Sequence, residues 1–129
     1  MSLKRYFGGC HCKTVRFSLL CEDIVEVERC NCSICSKLDY LHLIIPKAQF
    51  KLEQGEDSLT EYSFNTGVAK HYFCKHCGIK SFYIPRSNPD GVSVNARCLD
   101  TPNPTLQITE FDGQNWEQNA HTLAHKTQQ

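Results

Sequence analysis

Cysteine is the residue type in this sequence whose number and spacing point most directly to chemistry. Nine of the 129 residues are cysteines, and seven of them fall into three short groups. The groups are Cys10 and Cys12, then Cys30, Cys32 and Cys35, then Cys74 and Cys77. Thiolates two or three positions apart in a tight turn can point at one ion, and zinc binds such sulfurs tetrahedrally at about 2.3 Å. Because an odd number of cysteines cannot pair completely, the spacing predicts metal binding rather than a disulfide framework.

The seven grouped cysteines divide naturally into two zinc sites. A structural zinc takes four protein ligands, whereas a catalytic zinc takes three and keeps one position open. The two outer pairs complete each other, so we expect a structural zinc on Cys10, Cys12, Cys74 and Cys77. We expect the middle group to hold the open, catalytic zinc through Cys30, Cys32 and Cys35. Three further residues are alternatives as a fourth ligand that would close the second site, namely Cys21, Cys98 and His42.

Composition and charge exclude several classes of protein. Lys and Arg number 14, as do Asp and Glu, so the chain has no net charge with which to neutralise a nucleic-acid backbone. The sequence contains no run of 18 apolar residues that could cross a membrane. The first residues contain no apolar signal segment, so we expect the protein in the cytoplasm, where thiols stay reduced. The length predicts one domain over residues 1–129, with a polar tail that frays from about residue 118.

Short runs in which apolar and polar residues alternate, or which are wholly apolar, lie between turn signals and predict an all-β fold. The cysteine turns would form zinc-binding knuckles between the strands. The predicted strands are 14–19, 24–28, 40–45, 59–64, 69–73, 79–84, 92–94 and 106–108. A turn at Asn65-Thr66-Gly67 separates the fourth and fifth of these strands. Short helical turns are expected at 34–37 and 47–50. Exposed edge strands would allow a dimer to form.

The three cysteine motifs resemble those of the glutathione-dependent formaldehyde-activating enzyme family. The motifs are Gly8-Gly9-Cys10-His11-Cys12, Cys30-Asn31-Cys32-Ser33-Ile34-Cys35 and Phe73-Cys74-Lys75-His76-Cys77-Gly78. The stretch from Phe82 to Pro89 is similar to the centromere protein V branch of the same superfamily. The resemblance implies an Mss4-like sandwich or barrel of short antiparallel strands, with two zinc ions divided as four plus three ligands. It also implies the condensation of formaldehyde with glutathione to S-hydroxymethylglutathione, formally the work of a carbon–sulfur lyase.

The open zinc suggests how such an enzyme would work. A zinc held by three thiolates is a soft centre whose free position suits a fourth sulfur, so an incoming thiol would become a nucleophile for an aldehyde. In this scheme Cys30, Cys32 and Cys35 form the catalytic site as zinc ligands. Glutathione also carries carboxylates that need polar partners. The candidate partners are Arg86, Arg97, Lys37 and Asn95.

Two other functions fit the same sequence. If both zincs are structural, the chain would be a non-catalytic module that binds a protein partner. Alternatively, Cys98 could serve a redox enzyme, because the adjacent Arg97 could lower the pKa of its thiol. Cys21 is expected to be a buried core residue.

Overall fold

The computed structural model describes residues 2–64 and 67–127, and this part of the chain is built mainly from strands. The strands are β1 (Lys4–Gly9), β2 (Arg16–Cys21), β3 (Ile24–Cys30), β4 (Leu41–Pro46), β5 (Phe50–Gln54), β6 (Leu59–Tyr62), β7 (Lys70–Cys74), β8 (Phe82–Ile84), β9 (Gly91–Asn95) and β10 (Thr105–Phe111). The prediction of an all-β fold is confirmed. The turn predicted at Asn65-Thr66-Gly67 lies outside the described residues, apart from Gly67.

The helical segments are short. Helices α1 (Cys35–Leu38) and α2 (Trp116–Asn119) each have four residues. Single 3₁₀ segments cover Lys47–Gln49, Glu56–Ser58, Ala96–Cys98, Gly113–Asn115 and Ala120–Lys126. In the described ranges, every helix is too short and too polar to cross a membrane.

The strands form two sheets. A three-stranded antiparallel sheet has the order β1-β2-β5, and a seven-stranded sheet has the order β10-β3-β4-β9-β8-β7-β6. The neighbours in the larger sheet are antiparallel except β10 and β3, which run parallel from Thr105 opposite Ile24 to Phe111 opposite Cys30. This parallel pair delivers the chain that follows β10 to the start of the middle cysteine group.

One apolar core joins the two sheets. Phe17 and Leu19 of β2 are completely buried, as the alternating pattern of this strand predicts. They belong to the same buried cluster as Leu43 and Ile45 of β4. The intervening Ile44 belongs to a second cluster, which includes Cys30, Cys35, Phe111 and Leu123. Strand β4 is therefore buried on both faces, one toward the core and the other toward the middle cysteine group.

Three parts of the fold differ from the sequence-based expectation. Strands β1 and β5 were not predicted, since each buries few of its side chains. The tail was expected to fray, but Leu123 and Thr127 are buried in the structure. The amide of Asn88 donates hydrogen bonds of 2.9 Å to the Leu123 carbonyl and the Thr127 hydroxyl. A side chain more than thirty positions away thus anchors this polar segment.

Candidate metal centres and cavity

The two outer cysteine pairs meet at one place in the structure. The sulfur atoms of Cys10, Cys12, Cys74 and Cys77 all lie within 4.8 Å of one another. The Sγ of Cys12 lies 3.6 Å from the Sγ of Cys10 and 3.6 Å from the Sγ of Cys74. Four sulfurs bound to zinc at about 2.3 Å in a tetrahedron would be roughly 3.8 Å apart. This first cluster, formed by the four outer cysteines, therefore fits a closed zinc site.

Tight turns after β1 and β7 bring these four sulfurs together. The amide of Val15 donates a hydrogen bond of 3.3 Å to Cys10 Sγ. The amide of Gly78 donates to the Cys74 carbonyl at 2.8 Å, and Gly78 has a φ of 77° that an L side chain rarely adopts. The pKa of the Cys12 thiol is lowered to about 6, mainly because its sulfur contacts the Thr14 hydroxyl. The turns thus supply both the spacing and part of the thiolate stabilisation.

The middle cysteine group forms a second cluster with a histidine. The ligand atoms of Cys30, Cys35 and His42 lie within 4.8 Å of one another, and all three residues are buried. Cys32 adjoins them, because its Sγ accepts a hydrogen bond of 3.3 Å from the Cys35 amide. Contacts with the side chains of Cys30 and then Cys35 lower the pKa of Cys32 to about 2. The knuckle therefore gathers three thiol sulfurs, a soft donor set that fits zinc.

His42 lies on the face of β4 that points to this second cluster. Its Nε2 lies 3.2 Å from Cys35 Sγ, and its Nδ1 lies 3.0 Å from Ser93 Oγ and 3.2 Å from Tyr83 Oη. Burial lowers the pKa of His42 to about 3, so the ring is neutral and carries one proton. A protonated Nε2 donates to the Cys35 sulfur, whereas an unprotonated Nε2 could serve as a fourth metal ligand.

The other two alternative ligands lie outside both clusters. Cys21 is buried in the main core, as predicted. Cys98 Sγ lies 4.0 Å from the Lys80 carbonyl. Burial raises the pKa of each thiol to about 11. The adjacent Arg97 does not activate Cys98, since its guanidinium pairs with Asp39 at 3.0 Å.

A glycine in the loop after β10 covers the second cluster. A Cβ on Gly113 would lie 2.3 Å from Cys30 Sγ and 2.9 Å from Cys32 Cβ, so only glycine fits this position. The loop is fixed by Asn31, whose Nδ2 donates to Asp112 at 3.2 Å and whose Oδ1 accepts from the Gln114 amide at 2.9 Å. These hydrogen bonds therefore join the turn that carries the middle cysteine group to the loop after β10.

A cavity of about 500 Å³ opens onto the second cluster. Cys30, Cys32 and Cys35 line it, together with apolar and aromatic side chains. The cavity wall also includes Arg86, which lies 3.9 Å from the centre of the Trp116 ring and pairs with Glu117. The structure thus combines a group of sulfurs that could bind a metal with a space large enough for a small molecule.

Comparison with known proteins agrees with this site. A sequence model described as glutathione-dependent formaldehyde-activating enzyme matches residues 5–117. The chain belongs to this family. A crystal structure of a Rhodobacter sphaeroides protein is 33% identical to the chain, with a TM-score of 0.69 over 80% of this chain and 99% of that chain. Both cysteine clusters and His42 lie within the part that the family model matches, so the resemblance inferred from the three motifs is confirmed.

The four residues predicted to bind the carboxylates of glutathione do not all lie at the cavity. Arg86 lines the cavity, but Lys37, Arg97 and Asn95 are not among the described lining residues. The Arg97 side chain donates to the Asp39 carbonyl at 2.9 Å. Asn95 has a structural role, because it donates to the Lys80 carbonyl and accepts from the Arg97 amide. Arg97 and Asn95 thus have backbone or ion-pair partners away from the described cavity wall.

The sequence analysis did not single out several residues of the cavity. Glu28 is buried beside it and pairs with Lys126 at 2.6 Å. His71 also lines it, and the buried Lys80 contacts His71. No local pattern in the sequence reveals which side chains meet across strands.

Substitution of Gly113 by alanine tests the close approach of the loop to the second cluster. The added Cβ would collide with the Cys30 sulfur, so we expect Gly113→Ala to lose one bound zinc per chain and to keep the other. Metal analysis of the purified variant measures this loss. Gln114→Ala, a change at the exposed neighbouring position, should keep the full zinc content. Full zinc content in Gly113→Ala would contradict the geometry described.

Proposed function

We propose that this protein catalyses the addition of the glutathione thiol to formaldehyde, giving S-hydroxymethylglutathione, together with the reverse cleavage of the carbon–sulfur bond. The observation that carries the proposal is the cavity, because three cysteines that can bind zinc line it in a member of this family. The reaction is not a redox reaction. A sulfur–carbon bond forms, the π electrons of the carbonyl move to its oxygen, and the thiol proton ends on that oxygen.

The residues of the two clusters take different parts in this proposal. Cys10, Cys12, Cys74 and Cys77 would hold a structural zinc, and Cys30, Cys32 and Cys35 would hold a catalytic one. When bound by the three thiolates, zinc supplies a soft Lewis acid that accepts a thiol and favours its thiolate form. In this arrangement His42 Nε2–H donates to the Cys35 sulfur. The Tyr83 hydroxyl donates to Nδ1 and so fixes that tautomer.

Arg86 and Trp116 are suited to bind the peptide part of glutathione. The Arg86 guanidinium is anchored over the Trp116 ring and stands at the cavity wall, where it can meet a carboxylate. The indole ring adds an apolar surface beside it. Ile44, Phe111 and Leu123 also line the cavity and pack in one buried cluster with Cys30 and Cys35, which gives the site an apolar wall.

The position of His42 also supports a second candidate function. If its Nε2 serves as a fourth ligand, the second cluster would be closed, and both zincs would be structural. The protein would then be a zinc-stabilised module that binds a protein partner. In either case all nine cysteines are free in the structure, which suits a reducing compartment such as the cytoplasm.

The proposed reaction can be followed by two-dimensional NMR exchange between formaldehyde hydrate, glutathione and their adduct. We expect the zinc-loaded protein to accelerate exchange over the spontaneous reaction, and Cys32→Ser to reduce this acceleration by roughly 100-fold or more. Cys98→Ser should leave it unchanged, because Cys98 lies outside both clusters. Absence of acceleration by the wild-type protein would refute the proposed reaction, and its loss in Cys98→Ser would favour the redox alternative.

Paired arginine variants test the binding of glutathione. Arg86→Met should raise the KM for glutathione about tenfold or more with little change in kcat, because a charge-assisted hydrogen bond is lost. Arg97→Met is the matched control, since Arg97 pairs with Asp39 away from the cavity. Equal KM values for the two variants would exclude Arg86 as a carboxylate partner.

A further inference from the structure

A buried amine lies near the second cluster. Lys80 is only 6% exposed, and its Nζ lies 2.7 Å from His71 Nδ1. The same Nζ lies 3.9 Å from the centre of the Tyr83 ring and 4.9 Å from that of Tyr40, an arrangement that stabilises a cation. Among the described residues no carboxylate pairs with Lys80. An ammonium group has three donors and no acceptor, so it donates to His71 Nδ1.

This hydrogen bond determines where the proton of His71 lies. Burial, and then the charge of Lys80, lower the pKa of His71 to about 4, so the ring is neutral near pH 7. A neutral imidazole has one N–H, and Nδ1 uses its lone pair to accept from Lys80. The proton is therefore on Nε2. The ring cannot turn freely, because Tyr83 stacks on it at 4.7 Å and Phe64 at 5.6 Å between ring centres.

The Nε2 of His71 has no hydrogen-bond partner among the described residues, although His71 is only 4% exposed. A buried donor without an acceptor is costly, and such groups are rare in folded proteins unless a ligand completes them. His71 lines the cavity. Tyr83 and Phe64 stack on the ring and Lys80 contacts Nδ1, so the edge that carries Nε2 is left for a contact with a ligand.

The same aromatic side chain connects His71 to the second cluster. Tyr83 stacks on His71 with an angle of 11° between the ring planes, and its hydroxyl contacts His42 Nδ1 at 3.2 Å. His42 in turn contacts Cys35 Sγ at 3.2 Å. One tyrosine ring thus separates the two histidines, and His71 lines the same cavity as the middle cysteine group.

We propose that His71, held as the Nε2–H tautomer by Lys80, donates a hydrogen bond to the oxygen of the aldehyde. This inference rests on the proposed function and assigns the catalytic residue that stabilises the oxygen. As the sulfur–carbon bond forms, the carbonyl π electrons move to the oxygen, where negative charge develops. His71 keeps its own proton throughout, and the oxygen takes the proton released by the thiol. Lys80 is a positioning residue.

The tautomer of His71 can be measured without any substrate. In zinc-loaded protein labelled with ¹⁵N at histidine, long-range ¹H–¹⁵N correlation spectra should show a protonated Nε2 and an unprotonated Nδ1 for His71. Lys80→Met, which keeps a side chain of similar length but removes the ammonium, should populate the Nδ1–H tautomer. A protonated Nδ1 in the wild-type protein would overturn the inference, as would an unchanged tautomer in Lys80→Met.

Kinetic variants test the donation to the oxygen. His71→Phe keeps an aromatic ring for stacking and should lower kcat for glutathione and formaldehyde roughly 100-fold, with little change in the KM for glutathione. His71→Gln, which retains an N–H donor, should recover part of this loss. A zinc-loaded His71→Phe variant with wild-type kcat would overturn the inference. Should His71→Phe fail to fold, a kcat of His71→Gln no lower than wild type, combined with a protonated Nδ1, would overturn it equally.

Failure of this inference is distinguishable from failure of the proposed function. If the wild-type protein does not accelerate the exchange of formaldehyde with glutathione, the proposed function fails. If the wild-type protein does accelerate it but His71→Phe is equally fast, the proposed function stands and the role of His71 is refuted.

Discussion

The convergence of cysteine sulfurs from distant turns is the constraint on which the rest of the structure depends. Cys12 and Cys74 are 62 positions apart, yet their sulfurs lie 3.6 Å from each other. Thiolates at such distances repel one another unless a cation neutralises them, and these four residues could hold a metal ion. The turn after β1 and the turn after β7 follow strands of different sheets, so a metal ion held by this first cluster would link the two sheets.

Strand β4 connects the apolar core with the site. Alternate side chains point to opposite faces of a strand, so Leu43 packs in the core while His42 and Ile44 face the second cluster. The parallel pairing of β10 with β3 then brings the loop that contains Gly113 onto the Cys30 sulfur. The pairing of these strands thus positions the loop and the middle cysteine group at the cavity.

Local patterns in the sequence predicted much of this arrangement. Cysteine spacing predicted the first cluster, and alternation predicted strands such as β2, because both signals involve residues close together in the chain. The contact of Lys80 with His71 and the anchoring of the tail by Asn88 could not be predicted this way. They depend on which strands become neighbours and on a polar side chain finding its partner across the fold. The same limit applies to Arg97, whose sequence neighbour is Cys98 but whose guanidinium pairs with Asp39.

The central claim is that Cys30, Cys32 and Cys35 hold a zinc with one exchangeable position. Zinc K-edge X-ray absorption of the loaded protein, recorded with and without glutathione, tests it most directly. Glutathione is expected to raise the average number of sulfur ligands per zinc, and His42→Ala should leave the spectrum of the free protein unchanged. A histidine nitrogen ligand that disappears in His42→Ala, together with a spectrum that glutathione does not alter, would contradict it.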